Sequence, residues 1–161
     1  MILIGIDPGP THSGVVWLKT KTMEVDRHGL LDNHEILPHL RLVSGQPLAI
    51  EIMQPMGMAV GQETFDTQLW AGRFIEAHSR GACNDVYPIG RREVKLHLCG
   101  DCRAKDPNVR RATLDRFAKT GGGKTPEKGT KKQPGPLYGI GDNDVWSALA
   151  IAVTIKETKL T

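Results

Sequence analysis

Cysteine is scarce in this chain: Cys83, Cys99 and Cys102 are the three among 161 residues. Three thiols do not make a disulfide framework, and their scarcity points to a reduced, cytoplasmic setting. Long apolar runs are missing too. With no stretch of roughly 18 or more apolar residues, no transmembrane helix is expected. The N-terminus lacks a basic segment followed by an apolar one, so no secretory signal is expected. No internal repeat is visible, and 161 residues fit one domain with a sizeable core.

Two familiar motifs are started and left incomplete. "TGGGKTP" invites comparison with a phosphate-binding P-loop, G-x-x-x-x-G-K-[ST]. With Gly123-Lys124-Thr125 as its end, the first glycine should stand at Ala118, and no strand precedes it. "HLCGDC" places His97, Cys99 and Cys102 together as half of a zinc site. A second Cys/His pair is missing, and Cys83 with a distant His would have to serve. Closed zinc sites need four ligands, so these residues read as buried thiols.

What is present is an uneven charge. From Arg103 to Lys132 there are ten Lys/Arg against three Asp/Glu, a local +7. The remaining eleven basic and fifteen acidic residues leave the rest at −4. A basic arm on a mildly acidic body suits a polyanionic partner such as a phosphate backbone. A solvated, lysine-rich loop is the plainer explanation of the same run.

The apolar pattern predicts an α/β fold. Met1–Ile6, "GVVWLKT" and "TMEVDRH" read as strands, the last two joined by a hairpin. "HEILPHLRLV" fits a short helix or an irregular connection. "PLAIEIM" is a buried strand. From Gln62 to Arg80 the spacing of Phe65, Leu69, Trp70, Phe74 and Ala77 is helical. "NDVYPI" reads as a strand, and "RREVKLHL" and "NVRRATLDRFAK" as helices. "TGGGKTPEKGTKKQPGP" has no apolar period, so 120–136 reads as a flexible basic loop. A final helix, "DNDVWSALAIAVTIKET", carries Val145, Leu149, Ala152, Val153 and Lys156 on one face. Hairpin-joined strands first and helix-joined strands later imply a mixed sheet.

Acids stand out at three sites. Asp7 ends the first strand, Glu51 ends "LAIE", and Asp142–Asp144 opens the last helix. An acid buried in a strand is costly without compensation. Two on neighbouring strands repel, and one is then expected to keep a proton. Mg²⁺ or Mn²⁺ removes that cost, because both prefer carboxylate oxygen. A cluster of three or four acids suits two metals on a phosphodiester. Each acid also has an ordinary use. Asp7 can accept amides of the "PGPTHSG" turn. Glu51 can lie at an exposed edge. Asp142 fits an N-cap, with Asp144 in the first turn. Taken together, in this order on this framework, they favour the metal cluster.

These residues carry a resemblance. "GIDPGPTHSG" looks like the first catalytic motif of the RuvC-like Holliday junction resolvases, of the RNase H-like superfamily. Glu51 in "LAIE" resembles their second motif. "VYPIGRREVKLHLCG" resembles the segment leading to a DNA-contacting lysine, which matches Lys95. "DNDVWSALAIAV" resembles their final helix. The similarity spans about Met1 to Thr154. It implies a five-stranded RNase H-like sheet flanked by helices, a homodimer, and Mg²⁺- or Mn²⁺-dependent cleavage of four-way junctions. One nick per subunit would leave 5′-phosphate and 3′-hydroxyl ends. A small chain of this kind suits a phage or prophage enzyme working in a bacterial or infected cell.

By that resemblance Asp7, Glu51 and Asp144 are catalytic metal ligands. The fourth acidic position is Ser147, which shares a helix face with Asp144. Serine is a poor ligand beside carboxylate. Asp142 would then supply the missing charge, or a DNA phosphate would complete a weak second site, or the enzyme would be slow or inactive. Lys95 and Lys105 are assigned to phosphates near the scissile bond. Arg91, Arg92, Arg110 and Arg111 would extend a basic track, with Lys124 in the loop. Trp70 and Phe74 are candidates for a dimer face, and core packing explains them equally well. Phe65, Met53, Met56 and Met58 are the bulky apolar candidates for a wedge into the junction. Other branched DNA, such as flaps and forks, and a catalytically impaired binding module remain alternatives. Sugar-kinase and actin-like ATPases begin similarly but need two such domains.

Overall fold

Alternation along the first strand sets the layers of the fold. In β1 (Ile2–Asp7), Ile4 and Ile6 enter one core, while Leu3 enters the core on the opposite side. Side chains alternate across a strand, so Gly5 and Asp7 share the side of Leu3. The computed structural model describes residues 1–81 and 85–160. Cys83 lies outside the described residues.

Among those residues, β2 (His12–Lys19), β3 (Glu24–Asp32), β4 (Leu48–Glu51) and β5 (Val86–Ile89) join β1 in one sheet, ordered β3-β2-β1-β4-β5. The β1–β2 and β2–β3 pairs are antiparallel; β1–β4 and β4–β5 are parallel. The mixed sheet expected from the connections is therefore present. One face is covered by α1 (Asn33–Leu42) and α2 (Gln62–Ser79). The other is covered by α3 (Arg91–Cys99), α4 (Asp106–Leu114) and α5 (Asn143–Lys159).

Local chemistry explains the elements the pattern left ambiguous. The α1 segment is helical despite Pro38 within it. The Asp32 carboxylate caps it, accepting from the His34 amide at 2.8 Å, and Ile36, Leu37 and Leu40 bury against the α2 side. Burial of that face outweighs the backbone bond that proline removes. The α4 helix starts earlier and ends sooner than expected, with Pro107 in its first turn, where a missing N–H costs nothing. Trp70 and Phe74 belong to the core under α2, so they do not form a partner face. Phe65, Leu69, Met53, Met56 and Met58 are exposed.

The last helix departs furthest from its sequence pattern. It is buried almost all round, from Val145 through Ile155 apart from Ser147, because it lies between the sheet and the α3–α4 layer. A helix enclosed on both sides has no polar stripe. The 120–136 segment contains no helix or strand, and its turns are tied by backbone hydrogen bonds. Gly121 N–H donates to Pro126 at 2.8 Å, and Gly122 N–H to Gln133 at 2.9 Å. The adjoining Leu137 N–H reaches back to the Glu127 carbonyl at 2.9 Å. No described helix is long and apolar enough to cross a membrane.

Candidate active site

Parallel pairing of β1 with β4 aligns Ile6 with Ile50. The next residues, Asp7 and Glu51, therefore end adjacent strands at the same sheet edge. Both belong to the face covered by α5, since Leu3 and Ala49, an even number of positions before each, pack there. Asp7 is only 8% exposed. The turn after it is held by other groups. Gly9 N–H donates to Ser13 Oγ at 3.1 Å, Ser13 Oγ donates to Asn33 Oδ1 at 2.6 Å, and Asn33 Nδ2 donates to the Gly9 carbonyl at 2.9 Å. The turn is thus built without the Asp7 carboxylate.

Two strand glycines bring the third acid in. Gly14 pairs with Asp7 across β1–β2. A Cβ there would lie 2.2 Å from the Asp144 carbonyl oxygen. A Cβ at Gly5 would lie 2.5 Å from the Ala148 carbonyl oxygen and 2.8 Å from the Ala152 Cβ. Glycine weakens a strand, and here it admits close approach of a helix. The first turn of α5 can then lie over the strand end, with Asp144 and Ser147 near Asp7.

Burial and like charge act on these acids together. The Asp7 carboxyl is raised to about 8, first by burial and then by Glu51, with Asp144 adding, while Arg91 and the Ser147 hydroxyl pull the other way. Glu51 is raised mainly by burial, with Arg91 opposing. Asp144 is raised by burial and by the Asp142 charge. Asp142 itself is exposed and caps α5, accepting from the Asp144 amide at 2.8 Å. A cap contributes about 1 kcal/mol. Asp142→Ala is expected to lower stability by about that amount in urea unfolding, while Asp142→Asn stays close to wild type.

Arg91 stands among the acids. Its Nε is 3.4 Å from Glu51 Oε1, and its Nη2 is 3.9 Å from Asp7 Oδ2 and 3.3 Å from Ser147 Oγ. Its Nη1 is 3.8 Å from Asp106. The sequence had placed this residue in a track for DNA phosphates. A topological signal was available: Glu51 is in register with Ile89 on β5, and Arg91 follows two residues later at the same edge.

No family profile matches this chain, and no curated protein matches it. Solved structures do. Thermus thermophilus RuvC in complex with a Holliday junction substrate superposes with a TM-score of 0.65 at 18% identity, over 96% of this chain and 92% of that one. A second Thermus thermophilus RuvC structure gives 0.64 at 18% identity, with the same coverage. The chain has a RuvC-like fold. That is the RNase H-like architecture the opening motif implied.

Beside the acids of this RuvC-like sheet runs a cleft of about 430 Å³ between α3, α4 and α5. Glu51, Arg91, Lys95, Arg110, Arg111 and Ser147 are among its lining residues. Lys95 is held by Asp106 at 3.5 Å. Arg110 donates to Asn143 Oδ1 at 2.9 Å and lies over the Trp146 ring at 4.9 Å. Arg111 pairs with Asp115 at 3.3 Å. Arg92 does not line the cleft; its Nη2 is 3.7 Å from Cys102 Sγ. Lys105 and Lys124 are exposed and also lie outside the lining. Cys99 and Cys102 are half-buried free thiols.

Among the described residues no three His, Cys, Asp or Glu side chains are close enough together to form a metal shell. The donor chemistry nonetheless fits a hard divalent cation. Asp7, Glu51 and Asp144 are all carboxylates, and the burial and like charge that raise Asp7 are what such an ion offsets. Arg91 and Ser147 stand where a fuller shell would need oxygen donors.

Proposed function

We propose that this protein is a metal-dependent, structure-selective endonuclease that resolves four-way DNA junctions by paired nicks. The observation that carries the reading is that Asp7 and Glu51 end adjacent strands of a RuvC-like sheet, with the first turn of α5, which carries Asp144, packed over the strand end and a cleft lined by basic side chains beside it. The bound Holliday junction in one Thermus thermophilus RuvC structure supports branched DNA as the partner.

Mg²⁺ or Mn²⁺ held by Asp7, Glu51 and Asp144 would supply Lewis-acid activation of water and of the phosphodiester. The protein's own part is to fix these carboxylates on a rigid sheet edge and an enclosed helix. Lys95 and the arginines of the cleft would hold the strand by its phosphates, which positions it without reading bases. Hydrolysis leaves 5′-phosphate and 3′-hydroxyl ends. A homodimer would carry two such sites, and the exposed Phe65 and Leu69 of α2 are the apolar surface we assign to it.

The deciding assay uses a synthetic four-way junction with Mg²⁺ and Mn²⁺ in separate reactions. Symmetric paired nicks support the proposal. Nicking of flaps or forks but not junctions would replace it with a different branched-DNA nuclease. Tight junction binding without cleavage in either metal would replace it with a binding module. Lys95→Ala is expected to weaken junction binding equally across sequences and to reduce the slope of log affinity against log salt by about 1. Gel-shift titrations at several salt concentrations measure both.

A further inference from the structure

Arg91 is the cation that the acid site already contains. It touches Glu51 at 3.4 Å, Asp7 at 3.9 Å and the Ser147 hydroxyl at 3.3 Å. Glu51 and Asp7 are nearly buried, so their mutual repulsion is poorly screened. A planar guanidinium presents five N–H donors in a rigid fork, whereas an ammonium is a compact charge with three. Asp106, the further carboxylate at Arg91, is exposed and also paired with Lys95, so its charge is already answered by a second cation of the cleft.

We propose that Arg91 takes the place of one of two divalent ions, so that each chain binds a single Mg²⁺ or Mn²⁺. Two independent observations converge on this. First, the guanidinium lies among the acids rather than along the outer face of α3. Second, the helix position that would add a fourth carboxylate is Ser147, and its hydroxyl accepts from Arg91. With all three carboxylates ionised, as binding an ion through them requires, the guanidinium leaves a net charge of −2, which one divalent ion balances. An aspartate at 147 would raise that demand, and loss of Arg91 would raise it again. In the reaction the guanidinium would supply fixed positive charge beside the phosphodiester, and the chemistry a single ion held by Asp7, Glu51 and Asp144 would supply is Lewis-acid activation of water. This inference rests on the proposed nuclease reading for its chemistry, but not for its test.

The test is Mn²⁺ binding to the DNA-free full chain, followed by electron paramagnetic resonance of the free ion and by calorimetry. Wild type is expected to bind one Mn²⁺ per chain. Arg91→Ala is expected to bind Mn²⁺ about tenfold tighter or more, because a competing cation has gone. The double variant Arg91→Ala with Ser147→Asp is expected to bind two. Arg91→Lys, which keeps a charge and a long side chain, covers the case in which Arg91→Ala does not fold. Its affinity should fall between wild type and the tighter limit. Two Mn²⁺ per wild-type chain would overturn the inference. So would unchanged affinity in the Arg91 variants that fold. Wild-type junction cleavage is scored separately: cleavage with two bound ions defeats only this inference. One bound ion without cleavage of any branched DNA defeats only the nuclease reading.

Discussion

Asp7→Asn is expected to abolish strand cleavage while leaving the metal-free protein at least as stable as wild type at neutral pH. Loss of Asp7 as the proposed central metal ligand would remove several kcal/mol of transition-state stabilisation. Each 1.36 kcal/mol is a factor of ten, so the rate should fall by about 10³ or more. The stability side follows from burial. The folded protein keeps a proton on Asp7 up to about pH 8, whereas the ordinary value for the side chain is 3.8. Between those values the folded state binds the proton and the unfolded chain has released it. Stability therefore falls as pH rises from about 4 to about 8, and is level above that. The size is on the order of a few kcal/mol. Urea unfolding of chelator-treated protein at pH 5 and pH 8 measures it. Wild type should lose stability across that interval, and Asp7→Asn should lose clearly less. Mn²⁺ should then raise the melting temperature of wild type more than that of the variant, because an ion that binds only the folded state stabilises it.

Gly14→Ala is expected to cost both stability and activity. The added methyl would lie 2.2 Å from the Asp144 carbonyl oxygen, 2.3 Å from its carbon and 2.7 Å from the Val145 nitrogen. All three are backbone atoms of α5, so no flexible side chain can yield. Overpacking of this kind costs about 1–3 kcal/mol. Relief requires α5 to move off the strand, which carries Asp144 and Ser147 away from Asp7. Cleavage should fall by about 10²-fold, because misplacement of catalytic groups by an ångström costs that much. Gly72→Ala is the matching control. It is an exposed position of α2 with nothing within 4 Å of an added Cβ. It should gain up to about 1 kcal/mol from helix propensity and leave cleavage unchanged. Equal losses in both variants would remove the close approach of α5 as the explanation.

Much of this was legible before any coordinates. The strands, their mixed pairing and the helical spacing of Phe65 to Ala77 followed from periods of 2 and 3.6, which local sterics impose. Asp7 and Glu51 were conspicuous because each interrupts an apolar run. The two roles of Trp70 and Phe74 were not separable, because one helical stripe can face a core or a partner. The α5 pattern understated its burial, since a second covering layer comes from helices that local periodicity does not describe. Asp142 was open between cap and ligand, and the structure shows it accepting from the Asp144 amide.

The sequence by itself determined which residues are chemically out of place: carboxylates at the ends of apolar strands. These are local facts, since burial period and charge are carried by neighbours in the chain. Only the tertiary structure decided that Arg91 stands among those carboxylates, and that Gly14 and Gly5 let α5 come close enough to bring Asp144 over Asp7. Both depend on side chains far apart in sequence meeting at one sheet edge. Electrostatic and steric energies follow distance in space, so no pattern read along the chain contains them.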